Sequence, residues 1–237
     1  MDVVLHAATR GDDTIPPVQI SASPAPHPPI LKFPTEAIAS PAPPASNALA
    51  ELRLATRERH TRIDRLMDLR RMREPAHYGR VLQAFESFLE PWEQSVAAAL
   101  PARWHGWLHQ RSRRFFLGED LAALSLSPLR ATPPFVPRLA GNAAAWGSLY
   151  VMEGSALGGQ VITRALARAG VVPGRGAAYF HGWGDDTHAM WQEFMAQLES
   201  ELATPAAIAA ACTAASDTFD ALTAHLDGLL HERTAPA

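Results

Sequence analysis

Residues 147–162 read Gly147-Ser-Leu-Tyr-Val-Met-Glu-Gly-Ser-Ala-Leu-Gly-Gly-Gln-Val-Ile162. They lie inside a longer helical pattern, Arg138–Ala169, interrupted by Gly141, Gly147, Gly154, Gly158 and Gly159. An interior glycine costs a helix about 1 kcal/mol relative to alanine, so Gly154, Gly158 and Gly159 in close succession need a reason. Gly154 and Gly158 share a face, and the adjacent Gly159 predicts a kink. Two reasons stand open. A face without Cβ atoms lets something flat approach the backbone, and a kink frees amides and carbonyls to bond it. Small residues equally let two helices cross closely. The spacing is not that of a dinucleotide-binding loop, and no strand precedes it.

Outward from this segment the chain reads as helix throughout. Ser46 is placed to cap a helix in which Leu49, Leu52, Ile63 and Leu66 recur at helical spacing to Met67. Pro75 opens a second segment to Leu100, with a kink expected at Pro91. Shorter helices are expected over Trp104–Arg114 and Glu119–Leu126, and a loop over Gly170–Gly184. Two further helices, Asp185–Leu202 and Pro205–His231, follow. No segment alternates as a strand does, so the fold class is all-α.

The 237-residue composition agrees once the prolines are mapped. Ten of the 20 prolines precede residue 46, among Ser, Ala and Thr, which defines residues 1–45 as a disordered leader and 46–232 as the helical domain. The leader lacks the apolar core of a secretory signal, and no apolar run is long enough to span a membrane. A cytoplasmic protein is therefore expected. A net charge of −3 excludes a strong non-specific grip on nucleic acid or anionic membrane. Cys212, the single cysteine, excludes an internal disulfide and a thiolate metal cluster.

The first helix carries a second pattern. Arg53, Arg57, His60 and Asp64 fall in one narrow arc beside the apolar stripe, at the rim of the buried face. A neutral imidazole there can ligate a metal through one nitrogen while Asp64 fixes the other. Arg53 and Arg57 are spaced to hold anionic groups at a cleft mouth. Charged residues at this spacing also make an ordinary solvated helix face. His105 and His109 have no third ligand nearby in sequence, and Glu74 and His77 form a single Glu-x-x-His copy with Pro75 inside it; neither marks a metal site.

Together the two helices resemble the heme oxygenase family. Leu52-Arg-Leu-Ala-Thr-Arg-Glu-Arg-His60-Thr-Arg-Ile-Asp64 is similar to its proximal helix. Tyr150-Val-Met-Glu-Gly-Ser-Ala-Leu-Gly-Gly-Gln-Val-Ile162 is similar to its distal helix, most of all in the bacterial, biliverdin-producing branch associated with bacteriophytochromes. The resemblance implies a multi-helix bundle with a kinked, Gly-rich distal helix. It implies His60 as the ligand of heme iron, Arg53 and Arg57 near the propionates, and Gly154, Gly158 and Gly159 over the other heme face. It further implies oxidative opening of the porphyrin to biliverdin, carbon monoxide and ferrous iron. Heme is then cofactor and substrate together. O2 and an external electron donor, such as ferredoxin or a reductase, are required, and a bacteriophytochrome is a possible recipient of the product.

Three departures from the family pattern qualify that expectation. Ser155 stands where many members carry a distal Asp, Asp64 where Glu is frequent, and no basic residue matches near Gln192–Ala196. Phe219 is placed either on the heme edge or in plain core. A non-catalytic heme carrier or sensor, and another enzyme on the related thiaminase-like helical fold, are the alternatives.

Overall fold

A computed structural model describes residues 48–129 and 134–231. The leader expected over residues 1–45 and the cap expected at Ser46 lie outside the described residues. Among the described residues eight α-helices follow in order: α1 (Ala48–Met67), α2 (Pro75–Ala99), α3 (His105–Gln110), α4 (Arg114–Ala123), α5 (Asn142–Ala167), α6 (Ala178–His181), α7 (Thr187–Glu201) and α8 (Pro205–His231). Short 3₁₀ turns cover Arg71–Arg73, Ala102–Trp104 and Gly184–Asp186. The described residues contain no strand.

The long helices follow the sequence reading closely. Pro75 starts α2 at a position where its missing amide costs nothing. Pro91 lies inside α2 without ending it. Two differences are informative. The helix expected over Glu119–Leu126 instead begins at Arg114 and runs continuously through Gly118 to Ala123. A Cβ at Gly118 would meet nothing within 4 Å, so the helix tolerates this glycine without depending on it. The expected loop at 170–184 contains α6, whose first amides find a buried partner far away in sequence. Asp120 on α4 is 1% exposed and accepts hydrogen bonds from the amides of Ala178 (2.7 Å) and Tyr179 (2.8 Å). A carboxylate at those otherwise unpaired amides stabilises the short helix.

Helix α8 is the central staple. It packs along both α1 and α5, the two most extensive helix contacts in the protein. Gly147 makes the α5 contact possible, because a Cβ there would run into the Ala211 carbonyl. One turn of polar bonds locks the same crossing. Trp92 of α2 donates to Ser148 Oγ (2.9 Å), which bonds Thr218 Oγ1 (2.8 Å), which donates to the Ala214 carbonyl (2.7 Å). All four side chains or groups are buried and paired, which is the condition for a polar chain to be favourable in a core. Glu199 of α7 closes the start of α1, accepting from the amides of Ala48 (3.3 Å) and Leu49 (3.0 Å).

Candidate functional site

α1 and α5 both lie against α8, which therefore underlies the space between them. Tyr150 of α5 and Thr56 of α1 meet across it. Burial pushes the Tyr150 phenol up, while a hydrogen bond with Thr56 and the Arg53 charge oppose that shift. The Thr56 hydroxyl donates to the Leu52 carbonyl at 2.7 Å, so it accepts from Tyr150. On the α8 side, Phe219 meets His60.

His60 lies beyond the Tyr150–Thr56 closure. Its Nδ1 is 3.0 Å from Asp64 Oδ2, and its side chain is 61% exposed. The ring meets Phe219 edge to face, with centroids 6.0 Å apart and an interplanar angle of 68°. Nε2 has no hydrogen-bond partner among the described residues. Asp64, shorter than glutamate, nevertheless reaches the imidazole directly. With Nδ1 committed to a carboxylate, Nε2 is the nitrogen free to ligate. Arg53 and Arg57 share this face; both are exposed, and neither pairs with a carboxylate among the described residues. The acids that do ion-pair around α1 engage other arginines, as Asp220 does with Arg59 at 2.9 Å.

On the opposite wall, Tyr150, Gly154, Leu157, Gly158 and Val161 fall on one side of α5. A Cβ at Gly158 would meet nothing within 4 Å, and one at Gly154 only the Trp191 ring at 3.8 Å. Val161 is 46% exposed, an apolar residue left uncovered on the same side. The other two residues of the glycine segment turn elsewhere. A Cβ at Gly159 would sit 2.5 Å from the Phe180 carbonyl oxygen, so this glycine serves the packing of α5 on α6 and not the open face. The resemblance sets Gly159 over the heme face, and in the structure it carries this packing as well. Ser155 also turns into the protein, donating to the Met152 carbonyl (2.7 Å) and accepting from Arg113 Nη2 (2.7 Å). The helix is continuous through all four of its glycines, so the kink expected at Gly159 does not break α5. Close crossing is met at Gly147 and Gly159, while Gly154 and Gly158 leave room beside the backbone.

Sequence reasoning missed the residues that fix α5 from behind. Arg111 and Arg113, from the connection between α3 and α4, are 6% and 8% exposed. Arg111 holds Glu153 in a two-point bond, Nε to Oε1 at 3.2 Å and Nη2 to Oε2 at 2.7 Å, and donates also to the Met190 carbonyl (2.7 Å). The run Arg111-Ser-Arg113-Arg114 is visible as basic, but nothing local in it separates a buried arginine from a solvated one. His77, by contrast, is a satisfied core residue, 4% exposed and bonded to the Met67 carbonyl at 2.9 Å. No group of three potential metal ligands occurs among the described residues.

The molecule is thus an all-α bundle that carries a lone imidazole with two arginines on α1 and an open glycine position on α5. The family described as Heme oxygenase matches residues 46–226. A curated heme oxygenase of Xanthomonas campestris pv. campestris (strain 8004) is 38% identical over 141 residues, which are 59% of this chain and 78% of that protein. The chain belongs to the heme oxygenase family, and it is an enzyme of that type with heme as its substrate. Among solved structures, the NO- and CO-bound heme oxygenase from Neisseria meningitidis matches with a TM-score of 0.66 and 20% identity, over 80% of this chain and 94% of that one. At that identity the likeness is one of fold. No helix among the described residues is long and apolar enough to cross a membrane.

Proposed function

We propose that heme binds in the groove between α1 and α5 with His60 Nε2 as its iron ligand. One observation carries this reading: His60 has one ring nitrogen fixed by Asp64 and the other unpartnered, on the groove whose far wall is open at Gly158. The residues fit the group. A single imidazole would hold the iron from one side, and the bound group would supply the chemistry that takes up O2. Arg53 and Arg57 supply unpaired positive charge for two propionates. Phe219, packed on His60, restrains the imidazole ring from the α8 side. Gly154 and Gly158 let the ligand approach the α5 backbone, and Leu157 and Val161 flank it with apolar surface.

When bound, heme supplies both the iron that activates O2 and the ring that is opened to biliverdin, carbon monoxide and ferrous iron. The chain's own part is to orient and to exclude. Asp64 holds the imidazole tautomer, the two arginines fix rotation of the ligand in its plane, and the apolar side of α5 limits water. Ser155 reaches this wall only through the helix itself, because its hydroxyl proton points to the Met152 carbonyl. It acts by positioning rather than by carrying a proton as an aspartate does. The electrons come from an external donor such as ferredoxin or a reductase, and the product suits supply to a bacteriophytochrome.

The test is direct. Purified protein with hemin should give a Soret band, and an added reductant or ferredoxin with its reductase should convert it to a biliverdin spectrum. A stable heme complex without conversion would mark a carrier, and no Soret band would refute the site. His60→Ala should lose most turnover, with partial recovery on adding imidazole. Normal turnover by His60→Ala would refute the ligand assignment.

A further inference from the structure

The two buried arginines behind α5 have unlike surroundings. Arg111 is neutralised by Glu153 at 2.7 Å, with Glu193 at 3.5 Å. Arg113 has only neutral acceptors, the Met152 carbonyl and the Ser155 hydroxyl, each 2.7 Å from Nη2. Its guanidinium carbon stands 5.0 Å from the centre of the Tyr179 ring. Burial pushes that phenol up to about 12, so the ring contributes no negative charge at neutral pH. Among the described residues no carboxylate lies within 4.0 Å of Arg113. Glu93, the acid on that side, accepts from Ser112 at 2.6 Å and pairs with Arg114 instead.

A guanidinium keeps its charge when buried, and a buried charge without a counter-charge is costly. The structure concentrates that cost on the turn of α5 that carries Gly154. Ser155 gives its proton to the Met152 carbonyl, so both groups that face Arg113 are acceptors polarised by it. We propose that Arg113 is an electrostatic positioning residue of the distal wall. Its uncompensated charge, held against α5 through Ser155 and Met152, favours negative charge in the groove beside Gly154 and Gly158. Serine at 155 is what leaves the charge uncompensated, since a carboxylate there would neutralise it. The inference rests on the heme site proposed above.

The full-length protein loaded with hemin is titrated with azide, an anion, and with imidazole, a neutral ligand. Both affinities are read from the Soret band at one pH and one ionic strength. Arg113→Met is expected to weaken azide about tenfold and to change imidazole less than about twofold, because only the anion responds to a removed charge. Arg113→Lys should retain azide affinity within about threefold, because the charge remains. Ser155→Asp puts a carboxylate against the guanidinium and should weaken azide like Arg113→Met, while giving the buried cation a partner. It carries the test alone should Arg113→Met fail to fold. Equal losses for azide and imidazole, or unchanged azide affinity in either folded variant, would overturn the proposal. A missing Soret band in the unaltered protein would instead overturn the heme site.

Discussion

Adjacent glycines on α5 should respond to the same substitution with opposite sign. Alanine at 158 or 159 gains the same helix propensity, about 0.5–1 kcal/mol. At Gly158 the new methyl meets nothing within 4 Å, so the gain stands undiminished. At Gly159 it lies 2.5 Å from the Phe180 carbonyl oxygen and 3.3 Å from that residue's carbonyl carbon and Cα, all backbone. Neither α5 nor α6 can yield by a side-chain rotation, so the clash costs about 1–3 kcal/mol, the range for overpacking. Propensity cancels between the two variants, and their difference is that steric cost. For a domain of this size about 2–4 °C accompanies each kcal/mol, so thermal midpoints without heme should differ by about 2–12 °C. Gly158→Ala lies above the unaltered protein and Gly159→Ala below it. Function should reverse the order. The Gly158 methyl enters the groove, so Gly158→Ala should bind hemin more weakly or turn it over more slowly despite its higher midpoint. Calorimetry or circular dichroism with hemin titration decides both points. Equal midpoints would refute the packing account, and unaltered hemin affinity and turnover in Gly158→Ala would refute the open face as the ligand wall.

Arg53→Ala combined with Arg57→Ala should weaken hemin retention or mix the biliverdin isomers; unchanged affinity with a single unchanged isomer would remove their role. Arg111→Met leaves Glu153 without its partner in a site where the arginine side chain is 3% exposed. A stability loss of about 3–5 kcal/mol is expected, measured by urea unfolding, with Glu153→Gln milder because an uncharged acceptor remains. His225 adds a pH dependence. Burial pushes its pKa down, opposed by a bond to the Ala84 carbonyl. Below the unfolded value of about 6.5 the unfolded chain takes up a proton that the native chain refuses, so stability falls as pH drops from there through the native pKa. His225→Gln should flatten the midpoint against pH below about 6.5. A slope that survives the substitution would assign the effect to other groups.

Much of the architecture is legible locally. The stripe Leu49, Leu52, Ile63 and Leu66 sets α1, Pro75 sets the start of α2, and α8 runs from Pro205 to His231 as its pattern reads. The pairing of His60 with Asp64 is also local, since both stand on one helix at four-residue spacing. What stays illegible depends on partners distant in sequence. The amides of α6 are satisfied by Asp120, and α1 begins under Glu199, both from other helices. Gly158 and Gly159 are identical in sequence terms, yet one faces open space and the other the Phe180 backbone, a distinction that exists only once α6 is in place. The same holds for Ser155, which the family resemblance sets at the position of a distal Asp and which in the structure bonds Arg113 behind α5. Periodicity determines which residues share a face of a helix, because that follows from the pitch of the backbone. Which face meets ligand and which meets protein is decided by the docking of α5 on α8 and α6, because burial and charge compensation belong to the packed molecule and not to the segment.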